Sequence, residues 1–457
     1  MNPIQKITPL LASPGLRRAG LLFSARAVNP VVSLVFSLVM PRILTVEDFG
    51  VYGWALARIF IVQAFAEIGL QQSLVRFLVP ALRKDDENDF RAVLRASLQL
   101  KLYALAFIFA VTGLYMGGIV LLNQLAASGV LTHSFPPGLL PAAHPDQLNL
   151  TWIIVLGGAG LSILTYLDAV LVAHERFTRL SLWLPSVGVI RFLLLAGFLL
   201  GMGGRLRAEH VLYAFALGPF VSIAFFFCFY PAKTFLLKVP AVNWRPLVPR
   251  LLRFNLWMLA AAFMAIVSDW MEVLIISEEG DSGHFNAARM PMQGFLILLA
   301  TMGSLLLPRF SNLQTPAEFR AMFGRIYRYL LPVIFLFLPG FIIFPYFIAN
   351  WYGSDFLISI DVFYILYPNF ILRIYFAPLG VALVALDQPR LVAIEAAVRM
   401  VAGFVFNMIL YPTEGIIGAA YASLLAQVCG WTFLVFCYYR FFSVGKFPFQ
   451  RDRLPEI

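Results

Sequence analysis

Four arginines stand inside stretches of sequence that are otherwise apolar: Arg26, Arg58, Arg191 and Arg373. A guanidinium is always charged and presents a fork of N–H donors that fits the oxygens of a phosphate or a carboxylate. A charge at the centre of a bilayer costs about 2.5–3.5 kcal/mol on insertion scales, so those retained face protein or a water-filled cavity. Arg26 lies about two turns inside one end of its apolar stretch, and Arg58 about as far inside its own. Neither has a carboxylate three or four residues away. Asp269 and Glu272, spaced by three, share a helix face, and with Glu67 and Asp168 they are the acids placed to exchange a proton or a sodium ion. The chemistry these residues offer is counter-charging an anion where water is scarce.

The elements that position them follow from composition. Hydrophobic residues make up 61% of the 457 and charged residues 13%, with a mean hydropathy of +0.83, which is too apolar a chain for water to solvate. Apolar windows of about 20 residues recur along the whole chain, as bilayer-spanning helices require. They predict spans near 19–41, 50–78, 94–123, 150–173, 181–202 and 209–230, then near 253–278, 286–307, 326–349, 361–386, 390–411 and 415–439. The expected fold is an all-α polytopic membrane protein of about twelve transmembrane helices. An N-terminal segment 1–18 without a cleavage site precedes a lobe over 19–230, a linker over 231–252, a second lobe over 253–439 and a tail over 440–457.

Basic residues set the orientation, because loops rich in lysine and arginine stay cytoplasmic. With the amino terminus inside, 23 of the 34 lie on inner segments, 4 on outer loops and 7 within spans. Both termini are therefore expected in the cytoplasm. The net charge of +10 is spread over every inner loop instead of one face, so no nucleic-acid partner is implied. Cys228, Cys429 and Cys437 are dispersed through spans and the five histidines are scattered, so neither a disulfide framework nor a metal or other cofactor is expected. The outer loop 123–149 holds His133 and His144 but no base partner or cation, and reads as a spacer. Arg76 and Lys101, near inner span ends, are expected to snorkel to the headgroups, and Glu395 with Arg399, four apart on one helix, to neutralise each other.

The chain repeats itself once. "GVYGWA" at 50–55 and "GHFNAA" at 283–288 each follow an acidic turn, and they stand 233 residues apart, the length of six spans with their loops. That is the signature of a duplicated six-helix unit, with two pseudo-symmetric lobes.

The stretch "LVMPRILTVEDFGVYGWALA" resembles the first loop of the polysaccharide and O-antigen flippases, a branch of the multidrug/oligosaccharidyl-lipid/polysaccharide exporter superfamily. "EIGLQQSLVRF" (67–77) is similar to that family's second-span ending, "GHFNAARM…LLLPRFSNL" (283–313) to its eighth span and following loop, and residues 383–426 to its last two spans. The resemblance implies a central cavity lined by the first, second, seventh and eighth helices, with Arg26, Arg58 and Arg289 as cavity cations and Asp269 and Glu272 as cavity anions. It implies a flippase carrying a polyprenyl-pyrophosphate-linked glycan across the lipid bilayer of the bacterial inner membrane, in company with other polysaccharide-assembly proteins. Arg191 and Arg373, at mid-span, are further candidates for that cargo's phosphates. Residues 268–285, "SDWMEVLIISEEGDSGHF", depart from the family's apolar-Gly-Pro-Glu turn, as does the longer loop between the third and fourth helices. The competing readings are a cation-coupled drug exporter of the same superfamily, against which the arginines weigh, a membrane polysaccharide polymerase or ligase, and a scaffold without transport.

Overall fold

A computed structural model describes residues 32–70 except 33 and 37, Leu74, residues 87–127, 145–173, 177–201, 206–229, 247–276 and 278–293, scattered positions of 299–313, and residues 315–386 and 388–442. In hydrocarbon each backbone amide must be satisfied within its own segment, so a chain this apolar folds as helices. They are α1 (Val46–Glu67), α2 (Glu87–Ala127), α3 (Pro145–Ala173), α4 (Phe177–Gly201), α5 (Ala208–Phe229), α6 (Leu247–Ile275), α7 (Glu279–Gln293), α8 (Pro316–Phe335), α9 (Gly340–Phe347), α10 (Ile358–Ala385) and α11 (Pro389–Phe442).

Among the described residues seven helices are long and apolar enough to cross a membrane, and eight if α8 with α9 and its π-helical extension to Tyr352, bent by 44° at the break, is one span. Two of the expected spans, 390–411 and 415–439, run together as α11 and meet at Gly415, whose φ of 58° breaks the helix. Of two shorter apolar helices, Leu34–Ile43 overlaps the end of the expected first span and Pro185–Gly201 falls within the expected fifth. The expected eighth is described in α7 and at scattered positions beyond it. This pattern is consistent with the twelve-span layout. The spacer reading of 123–149 needs revision at both ends, since α2 runs on to Ala127 and α3 begins at Pro145. At 41 residues α2 is roughly 60 Å long, about twice the hydrocarbon thickness.

The contacts divide the chain into two compact units, one of Met1–Trp54 with Ala260–Ile457 and one of Ala55–Leu259. The second unit is closed by small residues. On α3, Gly157 leaves room for Ile59 and Ala216, a Cβ on Gly158 would meet Val62 and the Ile59 carbonyl, and one on Gly160 would meet Pro219 and Phe220. Three glycines within four residues let the helix backbones approach, which is how membrane helices pack where burial from water gives no drive. Trp183 on α4 donates from Nε1 to the Ser222 carbonyl at 3.2 Å and packs on Phe226. At its end α1 breaks, with both Ile68 (φ 47°) and Gly69 (φ 62°) left-handed, and helix resumes at Leu70. A β-branched residue adopts that conformation only under the hold of its surroundings, at a cost on the order of 1–3 kcal/mol.

In the first unit α10 packs along α11, and an aromatic core of Phe310, Phe319 and Phe323 meets Tyr438. Thr315 caps α8, its hydroxyl accepting from the Glu318 amide. Its most unusual packing is the crossing of α7 over the start of α1. A Cβ on Gly50 would land on the Glu279 carbonyl, and a Cβ on Gly283 on the Val46 carbonyl. Gly53 likewise lies against Asn286. Each of these positions has its counterpart 233 residues away, so the two copies of the repeated motif touch through equivalent atoms in exchanged roles.

The crossing predicts that Gly50→Ala and Gly283→Ala each destabilise by about 1–3 kcal/mol, the cost of overpacking against backbone that cannot yield. Gly280→Ala, on the same helix with open space around it, should be neutral or slightly stabilising. Thermal unfolding of the purified variants checks the contrast, and equal midpoints for Gly280→Ala and Gly283→Ala would refute it.

Candidate functional site

Charged side chains from four helices of the first unit converge on Asp269. It projects from α6, and Oδ2 accepts from Nη2 of Arg373 on α10 at 2.7 Å, while Oδ1 accepts from Nη1 of Arg399 on α11 at 3.2 Å. Arg399 is also ion-paired with Glu395, one turn earlier on α11, its Nε 2.7 Å from Oε1. One helical turn beyond Asp269, Glu272 is buried and hydrogen-bonded to the Ser423 hydroxyl, which in turn receives the Asn369 side-chain amide at 3.4 Å. Arg289 on α7 lies near both acids, its guanidinium carbon 3.9 Å above the Trp270 ring. Its Nη1 is buried with no hydrogen-bond partner among the described residues.

Local sequence makes this convergence possible. Asp269 and Glu272 share a face because 100° per residue brings positions three apart together. Glycine at 430, on the second half of α11, lets that segment close on its first half, because a Cβ there would strike Arg399 Cγ and Glu395 Oε1. Three guanidiniums face three carboxylates, so the cluster is close to neutral when all are ionised. It is also graded in exposure: the Arg399 side chain is 8% exposed, Asp269 22% and Arg373 31%. Of the two cations paired with Asp269, Arg373 is therefore the more open and Arg399 the more enclosed.

Of the nine expected site residues, Asp269, Glu272, Arg289 and Arg373 are brought together here. Sequence reasoning missed Arg399 and Trp270 as members. Glu395 and Arg399 do pair, but Arg399 is shared with an acid 130 residues away, for which no local spacing gives a sign. Arg58, Arg191, Glu67 and Asp168 belong to the second unit. Arg58 on α1 is exposed. Arg191 on α4 is buried, its guanidinium 3.8 Å from the Phe215 ring centre and its stem against Gly218. Glu67 and Asp168 lie close to one another and to Lys101. The expectation that Lys101 snorkels is wrong: it is 2% exposed and turned inward, because α1 ends beside it and offers carbonyls that need a donor. Arg26 lies outside the described residues. Among those described, no group of three or more His, Cys, Asp or Glu gathers to hold a metal.

These helices define an all-α polytopic fold. Over 92% of its length the chain superposes on 87% of a lipid II flippase, MurJ, in an inward closed conformation, with a TM-score of 0.61 at 14% identity. Over 95% it superposes on 97% of an outward-facing multidrug resistance transporter of the MATE family and MOP superfamily, with a TM-score of 0.59 at 13% identity. These likenesses establish the fold. Residues 16–314 match the model of the polysaccharide biosynthesis protein family, and the chain belongs to that family. It is also 27% identical over 237 residues to a probable low-salt glycan biosynthesis flippase, Agl15, of Haloferax volcanii; that match covers 50% of this chain and 49%, about half, of the relative's length.

The network predicts a ranking of stabilities. Asp269→Asn leaves two guanidiniums without their shared acid and should cost about 3–5 kcal/mol, as breaking a buried pair does. Arg399→Gln should cost less, because Asp269 keeps Arg373, and Arg373→Gln least, because its site is the most open to solvent. Chemical denaturation of the detergent-solubilised variants measures the order, and a loss for Arg373→Gln as large as for Asp269→Asn would show that Asp269 is not the hub.

Proposed function

We propose that this protein is a flippase that moves a polyprenyl-pyrophosphate-linked oligosaccharide, an O-antigen or exopolysaccharide repeat unit, from the cytoplasmic to the outer leaflet of a bacterial inner membrane. The reading rests on one observation above all: a polysaccharide biosynthesis chain folds as a flippase and a multidrug transporter do. Two six-helix lobes, 19–230 and 253–439, with both termini in the cytoplasm, alternate their access to the two sides. The sugar and pyrophosphate travel in a central cavity while the polyprenyl tail stays in lipid.

In this mechanism Arg26, Arg58, Arg191, Arg289 and Arg373 meet the pyrophosphate in turn along the path. Arg373 supports the idea by its geometry, since its partner is a carboxylate and its side chain is partly open. An arriving phosphate competes with Asp269 for the same forked donors. When it wins, Asp269 keeps Arg399 and the acid is never stranded, so capture costs little more than the exchange of one oxyanion for another. The freed oxygen of Asp269, with Glu272, is then available to a proton or sodium ion, and Glu67 and Asp168 serve the same purpose in the other unit. The crossing at Gly50 and Gly283 is the outer gate, closed while the cavity faces the cytoplasm.

A cation-coupled multidrug exporter is the second reading, favoured by the MATE likeness alone. Deleting the gene separates the two. Complete lipid-linked repeat units accumulating on the cytoplasmic leaflet support the flippase, whereas drug sensitivity with normal surface glycan supports the exporter. At residue level, Arg58→Ala should abolish glycan export with membrane insertion intact, and Arg58→Lys should retain part of it. Full export by the alanine variant removes Arg58 from the mechanism.

A further inference from the structure

The broken end of α1 in the second unit is built like a cation site, and a lysine fills it. Helix α1 stops at Glu67, so its last carbonyls lie at the end of a helix, where acceptors outnumber intrahelical donors. One of them, Ala66 O, accepts from Lys101 Nζ at 3.0 Å. The same ammonium donates to the Ser162 hydroxyl of α3 and lies within electrostatic reach of Glu67, beside which stands Asp168. Lys101, Ser162 and Asp168 are all buried. One turn away along both helices, Ser97 of α2 and Tyr166 of α3 bond across the same seam at 3.3 Å. A backbone carbonyl at a helix break, a hydroxyl and nearby carboxylates form an all-oxygen set of the type that binds small cations in membrane transporters. A long, flexible, strongly solvated amine is a costly thing to bury there. It is retained with a strained left-handed isoleucine next to it.

We propose that Lys101 Nζ is a tethered cation occupying a sodium-sized site at the break in α1, and that removing the amine leaves a site that takes a free sodium ion. Covalent attachment makes the site permanently filled, so this break is stabilised whatever the ionic composition of the medium. For the coupling roles proposed above, and resting on that reading, the consequence is a narrowing: with Lys101 in place, of the proton and the sodium ion only a proton is left for Glu67 and Asp168 to exchange.

The test needs no transported cargo, so its failure is separate from failure of the flippase reading. Full-length protein in detergent is unfolded thermally in sodium chloride and in choline chloride at equal ionic strength. The native chain should show the same midpoint in both salts. Lys101→Ala should melt lower in choline and recover in sodium, with a shift that rises with the logarithm of sodium concentration once the site is saturated. Lys101→Met, which keeps the bulk without the charge, should melt lower and gain nothing specific from sodium. Lys101→Ser serves as a second small replacement if the alanine variant folds poorly. The proposal is overturned if the small variants are as stable as the native chain in choline, if sodium restores them no better than it restores Lys101→Met, or if neither folds even in sodium. A sodium-specific rise in the native protein that Glu67→Gln abolishes also overturns it, because the site would then be vacant with the lysine present.

Discussion

An ionised group inside an apolar helix has no water to turn to, and its partners must come from the protein. That demand shapes both units. Around Asp269 it is met by alternation of sign over α6, α7, α10 and α11, so that no charge is isolated and the most buried cation, Arg399, has two acids. Around Lys101 it is met by a carbonyl at the end of a helix. Removing both members of a buried ion pair and packing the space with apolar side chains is often neutral or stabilising, so stability alone does not account for keeping six charged residues at one place. The proposed function supplies a further reason, since a network of this kind lets a member trade partners with a passing anion.

Exposure is graded across the cluster, with Arg399 the most enclosed and Arg373 the most open of the members paired with Asp269. In the proposed mechanism Arg373 is the cation a visiting anion meets first, and Arg289, resting on Trp270 with a buried donor lacking a partner among the described residues, is the second. An aromatic face steadies a guanidinium without consuming its N–H groups, which a carboxylate would do.

Much of this was legible in the sequence, and the boundary is informative. Composition and the recurrence of apolar windows dictate the membrane and the helices, because hydrocarbon permits little else. The spacing of Asp269 and Glu272 and that of Glu395 and Arg399 were readable because helical periodicity is local. The join between those pairs was not, since it depends on how α6 and α11 pack. Lys101 was misread for the same reason: its distance from the span end pointed to the headgroups, while "EIGL" gave no warning that α1 would break beside it and supply an acceptor. Arg58 and Arg191 show the converse, being equally conspicuous in the sequence yet set in different surroundings, one exposed and one stacked on Phe215.

The glycines at 50 and 283 tie the two copies of the repeat to each other's main chain. Most of each copy can drift apart once duplicated, as side chains are exchanged to suit separate duties. At this one place neither copy has a side chain to exchange, and the surface each presents is the peptide backbone of its twin. The pair is thus one structural unit, since a side chain added at either glycine forces a new path on the helix that faces it.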